Sequence, residues 1–215
     1  MLGIKTWRSR RMRSLKNEMK KPLHFLIVFL TVCLVSSSFV LPAERALLVK
    51  INKEYDQRTV IRKSRIPGAG NGLFAVVKIK KEDVIGELGG RLIPDNDPSR
   101  GNHYIASIPE CAWQETHPYK YLDSKDYGAN VSRINFAPSK INDKDTNFQN
   151  EAIIQLCQRP YVIFIALNEI EPGTEIWSSY GPHYEYDKFM KIAQVRDFFC
   201  GLLKMTCREK FTYAH

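Results

Sequence analysis

The segment Ser64-Arg65-Ile66-Pro67-Gly68-Ala69-Gly70-Asn71-Gly72-Leu73-Phe74-Ala75 constrains this chain more than any other stretch. Gly68, Gly70 and Gly72 alternate with other residues just ahead of an apolar run. Such a turn lets backbone amides and carbonyls approach another group closely, because glycine accepts positive φ and carries no Cβ to obstruct the approach. Alone it reads as a tight hairpin turn. Far along the chain stand Glu171-Pro172-Gly173-Thr174-Glu175-Ile176 and then Ser179-Tyr180-Gly181. The two segments are informative as a pair.

Charge argues against a polyanionic partner for the folded part. The 215 residues hold 32 Lys/Arg and 23 Asp/Glu, a net charge of +9. Eight of those basic residues and one acid, Glu18, precede residue 44, which leaves 24 against 22 beyond it. A nearly neutral body lacks the basic footprint that nucleic acid requires. The leader explains the excess: Lys5 to Lys21 is basic, Phe25 to Val35 is apolar, and Ser36-Ser37-Ser38 follows. That order is the pattern of a secretory signal, with cleavage after Ser38 or Ala43. An uncleaved membrane anchor is the alternative, since Leu23 to Leu41 is long enough to span. In both of these readings the protein is secreted or membrane-anchored, with the basic flank left in the cytoplasm, and a segment that is not exported is the third reading.

Four cysteines follow the leader's Cys33: Cys111, Cys157, Cys200 and Cys207. They are too sparse for a disulfide scaffold, and no Cys-x-x-Cys or His-x-x-x-His spacing points to a metal. On a continuous helix Cys200 and Cys207 would stand about 10 Å apart, too far to bond, so buried or inert thiols are expected.

From Arg58 the chain reads as short β-rich runs broken by turns: Thr59 to Lys63, Leu73 to Val77, Val84 to Leu88, Tyr104 to Ile108, Ile153 to Cys157 and Tyr161 to Ala166. The last is almost wholly apolar, which predicts burial on both faces. From Asp187 the period changes, and Phe189, Ile192, Phe199, Leu202 and Leu203 form one stripe at helical spacing. A C-terminal helix capping the core is expected.

The glycine segment, containing Gly70-Asn71-Gly72-Leu73-Phe74-Ala75, and the closing segment through Tyr180-Gly181 resemble the SET-domain family. The best-known members of that family transfer methyl groups to protein lysines. The middle of the chain extends the likeness: Tyr121-Leu122-Asp123-Ser124-Lys125-Asp126, then Arg133-Ile134-Asn135, is similar to the divergent PR-type members. The resemblance implies a mainly β, SET-type β-clip fold of several short sheets with a C-terminal helix. It divides the chain into a leader (1–43), a linker (44–57), the SET domain (58–186) and a helical cap (187–215). S-adenosylmethionine would be the co-substrate, bordered by Ala69, Gly70, Asn71, Gly72, Arg133, Asn135 and Phe136. Tyr180 would be catalytic and would line a lysine channel with Tyr184. Two departures stand out. Phe136 occupies the place of the family's usual histidine and can only stack or pack, and Ser178 replaces a common aromatic.

The activity so implied is transfer of a methyl group to a neutral lysine amine of a protein substrate, possessed by a monomer with no direct nucleic-acid contact. Its membrane contact would come only through an uncleaved leader, and export would be reconciled with a cytosolic methyl donor by delivery into a host cell with histone-like lysines. A SET-like binding module without transfer, and an unrelated exported β-rich protein, are the competing expectations.

Overall fold

The computed structural model describes residues 47–108, 118–156, 161–180, 184–207 and 211–214. All belong to the compact unit Leu41–His215. The leader, Cys111, Cys157 and Gly181 lie outside the described residues.

Short strands dominate, as expected. In chain order they are β1 (Thr59–Lys63), β2 (Asn71–Ala75), β3 (Val84–Glu87), β4 (Arg91–Pro94), β5 (Ile105–Ser107) and β6 (Tyr119–Asp123). Then come β7 (Asn135–Phe136), β8 (Lys140–Ile141), β9 (Lys144–Asp145), β10 (Glu151–Leu156), β11 (Tyr161–Ala166), β12 (Glu175–Ser178) and β13 (Tyr213–Ala214). They form four small sheets, ordered β1-β2-β12-β7, β10-β11-β3, β13-β8-β9 and β4-β6-β5. The glycine turn makes β1 and β2 an antiparallel hairpin, with Lys63 opposite Asn71. β12 adds antiparallel to β2, Ile176 facing Leu73, and β7 lies parallel to β12, Asn135 opposite Trp177. One sheet therefore collects three segments that are far apart in the chain.

Two apolar clusters flank that sheet. The first holds Leu73, Ile79, Ile85, Leu122, Ile134, Val162 and Ile176. The second holds Phe136, Trp177, Tyr186, Met190, Val195 and Phe199. Successive side chains of a strand point to opposite faces, so Ile176 enters one cluster and its neighbour Trp177 the other.

β11 departs from the expectation of two buried faces. Val162, Phe164 and Ala166 are buried, while Ile163 and Ile165 are only partly covered. Its sheet, with β10 and β3 on either side, has one face on the core and the other only partly covered. A continuous apolar run does not distinguish that case from full burial.

The expected single C-terminal helix is two helices, α1 (Tyr186–Met190) and α2 (Ala193–Leu202). Ile192 separates them in an extended conformation (φ −70°, ψ 120°) and is 43% exposed, so it leaves the stripe. Val195 and Phe199, four apart on α2, are fully buried and anchor it to the second cluster. Leu202, also assigned to the stripe, is exposed.

Cys200 and Cys207 correct a second expectation, for they form a disulfide with their Cα atoms 6.1 Å apart. The 10 Å separation held only for an unbroken helix. α2 ends at Leu202, Lys204 takes a left-handed φ of 53°, and the Met205 amide donates to the Cys200 carbonyl. The chain therefore folds back and returns Cys207 to bonding distance. Closing so short a loop contributes about 2–3 kcal/mol. Replacing both cysteines with serine should lower the urea midpoint accordingly, and dithiothreitol should do the same to the native chain but not to the variant.

Candidate active site

The glycine turn is held by its backbone and by one distant carboxylate. Gly68 and Gly70 have φ of 77° and 73°, and the Ser64 amide donates to the Gly70 carbonyl at 2.9 Å. No heavy atom lies within 4 Å of where a Cβ would stand on either glycine, so backbone conformation and not crowding demands them. Gly72 is the opposite case. A Cβ there would stand 2.2 Å from Glu175 Oε1 and 3.1 Å from Asn135 Nδ2.

Glu175 is the knot between the two sequence segments. It is 1% exposed. Its Oε1 accepts from the Ser64 hydroxyl at 2.6 Å, and its Oε2 accepts from the Arg65 amide at 2.8 Å. Asn135 Nδ2 donates to the Asn71 carbonyl at 2.9 Å and reaches Glu175 Oε1 at 3.4 Å. Charge-assisted bonds of this kind are the strong ones. They lock the turn, β12 and β7 into one piece.

Tyr180 joins the same piece from the other side. Its hydroxyl donates to the Ile134 carbonyl at 2.5 Å, one residue before Asn135. The residue as a whole is 38% exposed, and the protein around its hydroxyl pushes its pKa well above the ordinary tyrosine value by desolvation. The nearby Tyr184, Tyr104, Tyr186 and Glu151 push in the same direction. Tyr180 is therefore a neutral donor across the physiological range. Tyr184 packs edge-on against it with ring centroids 4.7 Å apart, and Tyr184 meets Tyr186 at 5.0 Å.

The remaining expected residues have these places. Asn71 begins β2 with its side chain exposed, and Ala69 packs partly buried against the second cluster. Phe136 is 3% exposed and lies 4.6 Å from the Tyr186 ring and 6.3 Å from that of Tyr180, so it packs. Arg133 is engaged elsewhere: Nη2 donates to the Lys125 carbonyl at 2.9 Å, and the guanidinium lies 4.2 Å over the Tyr104 ring. Ser178 is buried, and its hydroxyl donates to the Ser179 carbonyl.

Three residues escaped sequence reasoning. Glu175 stood within a quoted motif, but nothing local marks it as buried. Tyr104 appeared only as the start of a strand. Glu151 heads β10 on the same parity as Ile153, yet the acid is 4% exposed and the isoleucine 43%. That inversion arises because β12 covers one end of β10, where the Asn150 side chain donates to the Glu175 carbonyl and accepts from the Trp177 amide.

No group among the described residues meets the Glu151 carboxyl at full hydrogen-bond geometry, although the Ser178 hydroxyl stands near it, and burial raises its pKa to about 8. The Ser178 hydroxyl opposes that rise but does not cancel it. The folded chain thus holds a proton that the unfolded chain, with an ordinary glutamate, has lost above pH 4.5. This contribution is complete below the unfolded value and disappears as pH rises through 8. Stability should fall by about 1.4 kcal/mol per pH unit within that window from this group. Denaturant midpoints measured across it should fall less steeply in Glu151→Gln.

The family model for the SET domain matches residues 70–181, just over half of the chain. This protein belongs to the SET-domain family. That family includes lysine methyltransferases that use S-adenosylmethionine as methyl donor. No curated protein matches the chain. Solved structures resemble it in part. The crystal structure of the Chaetomium thermophilum polycomb repressive complex 2 does so at 23% identity over 59% of this chain and 16% of that one, with a TM-score of 0.46. An active polycomb repressive complex 2 in the stimulated state gives 22% over 64% and 16%, with a TM-score of 0.46. A polycomb complex in an autoinhibited conformation bound to S-adenosylmethionine gives 22% over 59% and 15%, with a TM-score of 0.43. The chain spans only 15–16% of the length of those chains.

Proposed function

We propose that this protein is an S-adenosylmethionine-dependent protein-lysine N-methyltransferase with Tyr180 as its catalytic tyrosine. One observation carries the reading: Tyr180 bonds to Ile134 while the next residue, Asn135, bonds to Asn71 in the glycine turn. The donor segment and the tyrosine segment thereby meet at one short strand.

The residues present fit the donor. The turn is open beside Gly68 and Gly70, and the partly buried Ala69 offers apolar surface within it. Asn71 and Asn135 would hold the donor's polar parts, with Gly70 and Gly72 permitting the approach. When bound, S-adenosylmethionine supplies an electrophilic methyl group on a sulfonium.

The chain's own residues prepare the amine. A lysine of pKa near 10.4 costs about 4–5 kcal/mol to deprotonate at pH 7. A channel walled by Tyr180, Tyr184 and Tyr186 desolvates the ammonium and lowers that cost. The Tyr180 hydroxyl, neutral and fixed by Ile134, orients the nitrogen for in-line attack. We assign catalysis to residues 58–186, with 187–215 closing the channel. The protein is further read as exported, which the Cys200–Cys207 disulfide supports because such bonds persist in oxidising compartments.

A second reading, a SET-type module that binds without transferring, is favoured by one feature. Phe136 packs into the core where the family's histidine would supply hydrogen bonds. Calorimetry with S-adenosylmethionine, followed by incubation of labelled donor with core histones and a whole-protein extract, decides between them. Binding and label on a lysine are expected. Binding without transfer supports the module, and absence of binding overturns both.

A further inference from the structure

A cavity of about 350 Å³ adjoins the tyrosine cleft, lined by Tyr184, Glu185, Tyr186, Asp187, Lys188 and Tyr213. Tyr184 belongs to both places, since its ring meets that of Tyr180 at 4.7 Å and that of Tyr186 at 5.0 Å. Tyr184 to Lys188 are consecutive, whereas Tyr213 arrives from a separate strand beyond α2. The Tyr213 hydroxyl donates to Asp187 Oδ1. Burial and that bond raise its pKa to about 12, so it stays a donor at neutral pH.

The strand that carries Tyr213 holds itself in place weakly. β13 is two residues long and pairs with β8, Tyr213 opposite Ile141. Beside that pairing, the Asn142 amide donates to the Thr212 carbonyl and the Ser139 amide to the Ala214 carbonyl, each at 2.9 Å. The Thr212 amide donates to Asn142 Oδ1 at 2.8 Å. A segment with so few backbone bonds opens easily by itself. The Cys200–Cys207 disulfide ties it down. Cys200 lies on α2, beside the fully buried Phe199, and Cys207 precedes Phe211 by four residues. The bond thus shortens the free chain leading to Tyr213 and removes most of its open arrangements.

We propose that Tyr213 is a specificity-determining wall of the substrate cleft, latched in place by the Cys200–Cys207 disulfide. This rests on the methyl-transfer reading and adds to it a redox dependence of substrate capture. Glu185 and Asp187 already pair with Lys188 and Lys191, so the three phenol rings carry the contact. Their faces suit the aliphatic stem and ammonium of a lysine side chain in a lysine-rich peptide. The glycine turn is held by Ser64, Glu175 and Asn135, none of them on the latched segment, so donor binding is spared.

Reduction releases the latch. Two thiols of a reductant supply two electrons and two protons, the S–S bond breaks, Cys200 and Cys207 become thiols, and the reductant leaves as a disulfide. The two cysteines are 2% and 4% exposed, so the attacking thiolate waits for the segment to open. A peptide resting on Tyr213 opposes that opening, and by linkage the opening weakens the peptide.

The test has two arms on the full chain. Hydrogen exchange read by mass spectrometry compares the oxidised protein with the protein treated with dithiothreitol. The amides of Ser139, Asn142 and Thr212 should exchange at least tenfold faster after reduction, and bound poly-lysine should slow the reduction itself. The second arm measures KM for poly-lysine with labelled S-adenosylmethionine, alongside donor affinity by calorimetry. Dithiothreitol should raise KM at least fivefold and leave donor affinity within twofold. Tyr213→Ala should raise KM equally in the oxidised state and make it indifferent to dithiothreitol. Unchanged exchange on reduction, a KM that neither treatment moves, or donor affinity falling in step with KM each overturns the latched wall while leaving methyl transfer intact. Failure of the oxidised wild-type chain to bind donor overturns the underlying reading instead.

Discussion

Tyr180→Phe should fold and should lose methyl transfer by about a hundredfold or more, the scale expected when a positioned hydrogen-bonding group is removed from an active site. The substitution keeps the ring, and therefore the 4.7 Å contact with Tyr184 and the packing on Phe136. What disappears is the hydroxyl and its bond to the Ile134 carbonyl. Loss of that bond should cost about 1–2 kcal/mol of stability, too little to unfold a domain of ordinary stability. Single-turnover transfer from labelled donor, read beside a urea denaturation curve, separates the two effects. Retained turnover would remove Tyr180 from the chemistry and leave it as a wall of the cleft.

The largest effect on stability is expected at Gly72→Ala. The new methyl would stand 2.2 Å from Glu175 Oε1 and 3.0 Å from its Cδ, and no ordinary contact is that short. Glu175 has nowhere to retreat, being 1% exposed and tied to Ser64 and Arg65. Relief requires breaking bonds to a buried carboxylate, at a cost of about 3–5 kcal/mol. Donor binding, measured by calorimetry, should disappear with the turn. The double variant Gly72→Ala/Glu175→Ala supplies the check. Removing the carboxylate vacates the space the methyl needs, so the two substitutions should cost markedly less together than the sum of each alone. Additive costs would mean that the two residues do not compete for one site.

The strand Thr59–Lys63 and, to within two residues, the strands Asn71–Ala75 and Val84–Glu87 were legible because alternation, β-branched residues and glycine punctuation are local signals. The pairing of the glycine turn with the Tyr180 segment was legible only as a family likeness, since no local rule links residues so far apart. Glu175 shows the limit. An acid after Pro172-Gly173-Thr174 looks like any surface residue, and only the sheet shows that it binds the turn. The disulfide shows the same limit differently. Helical spacing excludes Cys200–Cys207, and a left-handed Lys204 after the helix end restores it.

By composition and order alone, the chain committed itself to short strands, a glycine turn, a late tyrosine and a helical tail, because each depends on residues adjacent in sequence. Tertiary contact alone settled that Glu175 clasps Ser64, that Asn135 reaches Asn71, and that Glu151 is buried. Burial and pairing depend on what crosses overhead, and β12 crosses from the far end of the chain.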